Sequence, residues 1–249
     1  MRRLLAWIGI RLAVFAAFVV IWQGLILWFA IPHYLVPTPA GVAHAASKHI
    51  PVLLARTGFT IGTAALGLAI SGTLALGLSL LFTNAPRLAK AATPLLIVFR
   101  AAPVPAIAPL IMLAVGRGMG TSIIVVMIVA FFPLYVNVMR GLSAPDPNAV
   151  QLMLVTGASR WQQMRLVRIP YALPYLFTGL RIAGASAILG AMLSEWITGA
   201  PGLGMLILNS GDMRETELLW AAVIVSVLVA LCVFWTTSAL ERSVLAWRV

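Results

Sequence analysis

Long apolar stretches alternate with short polar segments along the whole chain of 249 residues. A helix that crosses a membrane needs about 20 consecutive, mainly apolar residues. The pattern predicts six such spans, with five as the alternative because the third and fourth lie close together. The predicted spans are residues 4–30, 57–82, 94–115, 121–139, 171–198 and 218–240.

The composition agrees with a membrane environment. Hydrophobic residues make up 62% of the chain and charged residues 9%, whereas a soluble domain has roughly 45–50% apolar and about 25% charged residues. A globular core of this size cannot hide that excess, so lipid must cover it. We expect an all-α, polytopic transmembrane helical bundle that forms one domain over residues 1–249. The first apolar stretch is longer than the roughly 7–15 residues of a signal-peptide core, which predicts an uncleaved first span.

The formal net charge is +11, from 17 Lys and Arg against 6 Asp and Glu. The basic residues are spread thinly between apolar runs, which argues against nucleic-acid binding. Cytoplasmic loops of membrane proteins are rich in Lys and Arg. With the N-terminus inside, most of the basic residues fall on the inner side, and this predicts that both termini are cytoplasmic. The outer side then holds only Lys48, Arg56, Arg117 and Arg214.

The polar loop between the fourth and fifth spans predicts two short helices. Asp146 can cap the free N–H groups of a helix that starts at Pro147. Gly157 fits the end of that helix, since glycine adopts the left-handed conformation at low cost.

A second helix is predicted to follow at once. Ser159 and Gln162 have the spacing of a capping box, and this helix must bend or end near Pro170, which lacks a backbone donor. From these residues alone, the loop is either an amphipathic segment resting on the membrane or a docking element for a soluble partner.

Three motifs then resemble a known family. Gly157 is followed after nine residues by Val167-Arg168-Ile169-Pro170, which is similar to the EAA loop of permeases of ATP-binding-cassette (ABC) importers. The proline-rich stretch 100–110 and the Pro-Gly-Leu-Gly of residues 201–204 resemble the nitrate/sulfonate/taurine branch. Together the resemblance covers roughly residues 35 to 210. It implies a type I ABC importer permease.

The resemblance assigns ATPase coupling to the segment 146–170, called the coupling segment below. One departure is that the family's Glu-Ala-Ala is Gln151-Leu152-Met153 here, so the acidic charge is lost. The residues implied to contact the ATPase are Gln151, Leu152, Met153, Gly157, Ala158, Ser159, Trp161, Gln162 and Pro170.

The resemblance also implies a set of partners. These are a second permease copy, two ATP-binding-cassette ATPase subunits and an extracytoplasmic substrate-binding protein. The sequence contains no Gly-x-x-x-x-Gly-Lys-Ser/Thr loop. We therefore expect no cofactor in this chain, ATP and Mg²⁺ being bound by the ATPase. The expected role is a non-catalytic transport subunit for a small anion such as a sulfonate or nitrate, moved by alternating access.

Charged residues inside predicted spans are candidates for a substrate path, because ionisable groups at membrane depth usually face a bundle interior or water. Arg181 can reach the membrane surface, pair with another span or contact an anion. Glu195 lies near the outer end of its span, where solvation at the interface is the expected explanation. Arg100 suits a structural role as well as a substrate role.

Other classes of function fit the sequence less well. The three histidines lie together in one polar segment without a metal-binding motif, so no metal site is expected. Cys232 is alone in an apolar run. An intramembrane enzyme would need a nucleophile with a base or metal ligands at membrane depth. A channel or secondary transporter is the other alternative, against which the lack of a long internal repeat counts.

Overall fold

The computed structural model describes residues 2–101 and 103–246, and it describes the side chains of all these residues except 2–9, 11, 12, 15 and 99–101. Within these ranges the chain is helical apart from short connections. One π-helical turn, Met164–Arg168, joins α8 to α9. The helices are α1 Arg2–Trp28, α2 Pro39–Lys48, α3 Ile50–Asn84, α4 Pro86–Ala101, α5 Val104–Val115, α6 Met119–Ser143, α7 Pro147–Val155, α8 Arg160–Gln163, α9 Ile169–Thr198, α10 Leu203–Asp212 and α11 Thr216–Val244.

The apolar helices confirm the predicted fold class. In the described part of the chain, four helices are long and apolar enough to cross a membrane: α3, α6, the continuous helix Arg160–Thr198 and α11. Two shorter apolar helices, Ala16–Trp28 and Val104–Val115, lie in the predicted first and third spans. The chain is therefore an all-α polytopic bundle.

The third predicted span, residues 94–115, is not one helix. The chain forms α4 and α5 instead, separated at Pro103, whose backbone is extended at φ −68° and ψ 120°. A proline has no N–H to continue a helical ladder, and its ring clashes with the preceding turn. Pro105 lies in the first turn of α5, where a missing N–H costs nothing because that donor has no partner in the helix.

The core lies between α3, α6 and α9, with α11 packed against α9. A stripe of small residues on α9 forms a packing face. Gly179, Ala183, Ala187 and Ala191 are all buried there. Short side chains at these positions bring the backbones close together, which is how helices in lipid gain van der Waals contact.

The glycines of α3 behave differently from one another. A Cβ on Gly67 would lie 2.6 Å from Val126 in α6, so the two helices touch there. A Cβ on Gly58, Gly72 or Gly77 would meet nothing within 4 Å. α3 therefore packs closely on α6 at Gly67, whereas the other three glycines have open space beside them within this chain.

The helix that leads into the fifth span does not end at Pro170. It continues through the π-helical turn, in which the N–H of Ile169 donates to the carbonyl of Met164. The extra residue widens the turn next to the ring of Pro170, which cannot donate a hydrogen bond. The unbroken helix therefore runs from Arg160 to Thr198.

Candidate functional site

The first helix of the coupling segment is closed at both ends by local hydrogen bonds. The Oδ1 atom of Asp146 accepts from the N–H of Asn148 at 2.9 Å. At the other end Gly157 is left-handed, with φ 76°. The N–H of Gly157 donates to Leu154 and that of Ala158 donates to Met153, at 3.0 and 2.9 Å. This pair of bonds is a Schellman motif, which satisfies carbonyls at a helix C-terminus.

The second helix of the segment begins with the predicted capping box. The N–H of Ser159 donates to Oε1 of Gln162 at 2.7 Å. The N–H of Gln162 donates in return to Oγ of Ser159 at 3.3 Å. These reciprocal bonds fix where α8 starts, directly after the turn at Gly157.

Arg168 and Met164 hold the segment against the bundle, and Gln163 adds a hydrogen bond within the segment. The guanidinium of Arg168 donates to the carbonyl of Leu142 at the end of α6, at 2.8 Å. The amide of Gln163 donates to the carbonyl of Ala158 at 3.0 Å. Met164 is buried in a cluster with Leu142. The base of the segment is therefore fixed, while its first helix projects from the bundle.

The surface of the projecting helix is apolar and uncovered within this chain. None of the residues 147–155 is buried. Leu152 is 65% exposed, Val155 86% and Trp161 of α8 65%. Arg160 and Arg165 are exposed on the same segment. Large apolar side chains beside cations at one end of a bundle are typical of an interaction surface.

The predicted coupling residues lie on α7, the turn after it and α8, except Pro170, which lies in the first turn of α9. They differ in exposure, with Met153, Ala158 and Pro170 half-buried. The exposed members are Gln151, Leu152, Gly157, Ser159, Trp161 and Gln162.

Arg181 lies in an ion pair between two spans. Its Nη1 atom is 2.7 Å from Oε2 of Glu241 in α11, and its Nη2 donates to the hydroxyl of Thr178 at 3.3 Å. Of the three interpretations of Arg181, pairing with another span is the one that the structure contains. The side chain of Arg100 lies outside the described side chains, so its role stays a prediction.

The expectation that solvent at the interface stabilises Glu195 is wrong, because the residue has 0% exposure. Its Oε1 accepts from the hydroxyl of Thr60 in α3, and its Oε2 accepts from the N–H of Gly204, both at 2.8 Å. The hydroxyl of Thr60 also accepts from the N–H of Leu203 at 2.9 Å. The carboxylate thus caps the start of α10, where the helix dipole favours negative charge.

Sequence reasoning missed Thr60. It lies among the small residues of α3, and no local pattern separates a threonine that bonds across the bundle from one that bonds to its own helix. The nearby Thr63, for example, donates to carbonyls of its own helix.

The three histidines lie at the opposite end of α3 from the coupling segment. They line a polar cleft of about 390 Å³ together with Lys48, Arg214, Glu215 and Glu217. Among the described residues, no three side chains of His, Cys, Asp or Glu are arranged to hold a metal ion. A second polar cleft, of about 260 Å³, lies where α3 ends, beside Arg160 and Arg168. α3 therefore connects two polar surfaces across the apolar bundle.

Comparison with known proteins decides the family. The "Binding-protein-dependent transport system inner membrane component" family matches residues 73–246. The chain belongs to this permease family. It is thus a multi-pass inner-membrane permease of an ABC importer, and the resemblance of its three motifs is confirmed.

Relatives of the permease match over nearly its whole length. A probable ABC transporter permease protein of Haemophilus influenzae is 30% identical over 90% of this chain and 92% of its own. The riboflavin transport system permease protein RibX of Chloroflexus aurantiacus is 30% identical over 92% of this chain and 86% of its own. A putative aliphatic sulfonates transport permease protein, SsuC of Bacillus subtilis, is 27% identical over 94% of this chain and 85% of its own.

Solved structures support the fold of the permease. An inward-facing structure of the MetNI methionine ABC transporter has a TM-score of 0.71 at 17% identity. It covers 79% of this chain, and the match spans 98% of that chain. At this level of identity the likeness shows the type I importer permease fold alone.

Proposed function

We propose that the permease moves a small anion, such as a sulfonate, through a complex of two copies of this chain and two ATPase subunits. An extracytoplasmic binding protein delivers the substrate, and the ATPase subunits bind ATP and Mg²⁺. Both termini lie in the cytoplasm. Closure of the ATPase dimer displaces the coupling segment and rocks the spans between inward-facing and outward-facing states.

The exposed apolar helix α7 is the observation that carries this proposal. It buries none of its residues in this chain, yet it is capped at both ends and held by a fixed base. A pre-formed helix loses little conformational entropy on docking, because its backbone is already ordered. The exposed Leu152 and Val155 suit an apolar groove, and Arg160 suits an acidic rim.

Gln151, which stands in place of the glutamate of the family motif, is also compatible with docking of α7 to the ATPase. Gln151 is exposed and offers an amide in place of a carboxylate, so contact at this position does not depend on a basic residue of the partner. The single acid of the segment, Asp146, is engaged in capping α7.

Native mass spectrometry of the permease co-expressed with its ATPase tests the assembly. The proposal expects a core of two permease chains and two ATPase chains. A permease that remains monomeric and moves substrate without an ATPase would instead be a channel or a secondary transporter. A permease whose ATPase association survives loss of the exposed apolar side chains of α7 would identify that helix as a membrane-surface segment.

The substrate class rests on the relatives. Two of the named relatives of this chain, SsuC of Bacillus subtilis and the taurine transport system permease protein TauC of Escherichia coli, carry sulfonate substrates in their names. Uptake into proteoliposomes containing the full complex, with labelled taurine, nitrate and riboflavin in parallel, tests the class. Uptake of riboflavin without uptake of taurine, which carries a sulfonate group, or of nitrate would contradict it.

A further inference from the structure

Glu195 lies near the far end of the helix that begins in the coupling segment. Residues Arg160–Thr198 form one unbroken helix of 39 residues, about 58 Å long at 1.5 Å per residue. The helix that carries the proposed ATPase contact therefore also carries the buried carboxylate. A displacement of the coupling segment is therefore transmitted to Glu195 through one helix.

The chain leaves the helical conformation directly after this helix, in the turn 199–202. The turn is partly buried: Ala200 is 3% exposed and Gly202 is buried, whereas Gly199 and Pro201 are exposed. Leu203, the first residue of α10, is 0% exposed. Irregular backbone at membrane depth needs partners within the protein. The hydroxyl of Thr60 accepts from the N–H of Leu203, and the carboxylate of Glu195 accepts from the N–H of Gly204.

The end of the turn and the start of α10 are packed tightly against α9. A Cβ on Gly202 in the turn would overlap the carboxylate of Glu195, and a Cβ on Gly204 in α10 would overlap the backbone carbonyl of Met192. Because these two contacts leave no gap, a displacement of α9 pushes the junction between the turn and α10.

We propose that Glu195 is a positioning residue that makes the turn 199–202 and α10 move with α9, so that displacement of the coupling segment reaches the far end of the bundle. This inference rests on the proposed function, since the ATPase must supply the displacement. Pro201 in the turn forms one wall of an apolar groove of about 480 Å³, opposite Arg56 and Phe59 of α3. The width of this groove then follows the nucleotide state.

A pair of spin labels tests whether α9 and α10 move as one body. Leu189 is 69% exposed on α9 and Asp212 is exposed at the end of α10. Cysteines at both positions, in a Cys232→Ser background, are labelled in the complete complex with its ATPase. The complex contains two copies of the chain, so the distance within one chain is isolated by mixing labelled permease with an excess of unlabelled permease. We expect a narrow distribution for this distance, unchanged when ATP is added.

Glu195→Ala should broaden that distribution and make it shift with ATP. Thr60→Val removes the hydroxyl that bonds both Glu195 and Leu203, so it should also broaden the distribution. Thr60→Ser retains the hydroxyl and should keep the distribution narrow. If Glu195→Ala does not fold, Thr60→Val alone tests whether the hydrogen bonds to Glu195 and Leu203 make α10 move with α9.

A control separates positioning from general loss of stability. Glu241→Gln breaks the ion pair between α9 and α11 but touches neither Thr60 nor the turn, so it should leave the distance between labels unchanged. A narrow distribution that does not respond to ATP in both Glu195→Ala and Thr60→Val overturns the inference. If no ATPase binds the unsubstituted permease, the proposed function fails instead, and the two failures are distinguishable.

Discussion

Arg181 in α9 and Glu241 in the last turn of α11 form an ion pair, with 2.7 Å between Nη1 and Oε2. The side chains are only 28% and 19% exposed. An unpaired charge at membrane depth is costly, so each side chain stabilises the charge of the other. The pair therefore joins the helix that carries the coupling segment to the last span.

Loss of either partner should destabilise the permease. We expect Arg181→Gln or Glu241→Gln each to lower the free energy of unfolding by about 1–3 kcal/mol, the range for a buried polar group left without its partner. The double substitution should cost less than the sum of the two, because neither charge is left alone. Thermal unfolding of the purified permease in detergent measures this. Strict additivity would show that Arg181 acts outside this pair.

Close contact between α3 and α6 at Gly67 predicts a second effect. Gly67→Ala places a Cβ 2.6 Å from Val126, so the helices must separate. Overpacking of this kind typically costs about 1–3 kcal/mol. Gly77→Ala is the matched control in the same helix, since its Cβ meets nothing within 4 Å. We expect Gly67→Ala to lower the melting temperature and Gly77→Ala to leave it unchanged. Equal melting temperatures of the two variants would refute the contact between α3 and α6.

The overlap between Gly202 and Glu195 predicts a dependence of one substitution on another. Gly202→Ala should destabilise the permease because its Cβ meets the carboxylate, and not because of backbone strain, since Gly202 has φ −109°. In a Glu195→Ala background the same substitution should add no further loss. Thermal unfolding of the two single variants and the double variant decides this. An undiminished effect of Gly202→Ala in the double variant would contradict the geometry.

The sequence predicted the coupling segment in detail because its signals are local. The cap at Asp146, the left-handed Gly157 and the capping box at Ser159 each depend on residues no more than five apart. The partners of Glu195 could not be read in this way. Thr60 is 135 residues distant in sequence, and only the packing of α3 on α9 brings them together.

The errors in the predicted spans also have physical causes. Apolarity alone predicted one helix over residues 94–115, since Pro103 is as compatible with lipid as its neighbours. The backbone donor that this proline lacks decides the break. Conversely, Pro170 was expected to end or bend a helix that instead continues through one π-helical turn.

The orientation of the bundle can be tested by labelling. Lys48 is the last residue of α2, just before α3 begins, and Arg160 lies beside the end of α3. The two are therefore on opposite faces of the membrane. In a Cys232→Ser background, Lys48→Cys should react with a membrane-impermeant maleimide added to whole cells. Arg160→Cys should react only after the membrane is opened. The reverse pattern would place both termini outside.

A substitution of Gly157, the left-handed glycine of the coupling segment, tests whether the conformation of the segment matters for coupling. Gly157 has φ 76°, and a Cβ there would meet nothing within 4 Å, so only backbone strain opposes a side chain. A β-branched residue is a poor fit to this region, whereas asparagine enters it more readily. Gly157→Val should therefore cost about 1–3 kcal/mol locally and misdirect α8, while Gly157→Asn should be milder. Spans buried in lipid should be unaffected.

The amount of ATPase that co-purifies with Gly157→Val, Gly157→Asn and the unsubstituted permease tests the coupling account most directly. The account predicts normal insertion of all three in the membrane, loss of ATPase from the valine variant and retention of most of it by the asparagine variant. Wild-type ATPase association and uptake in Gly157→Val would contradict it, and would show that the segment rests on the membrane without coupling.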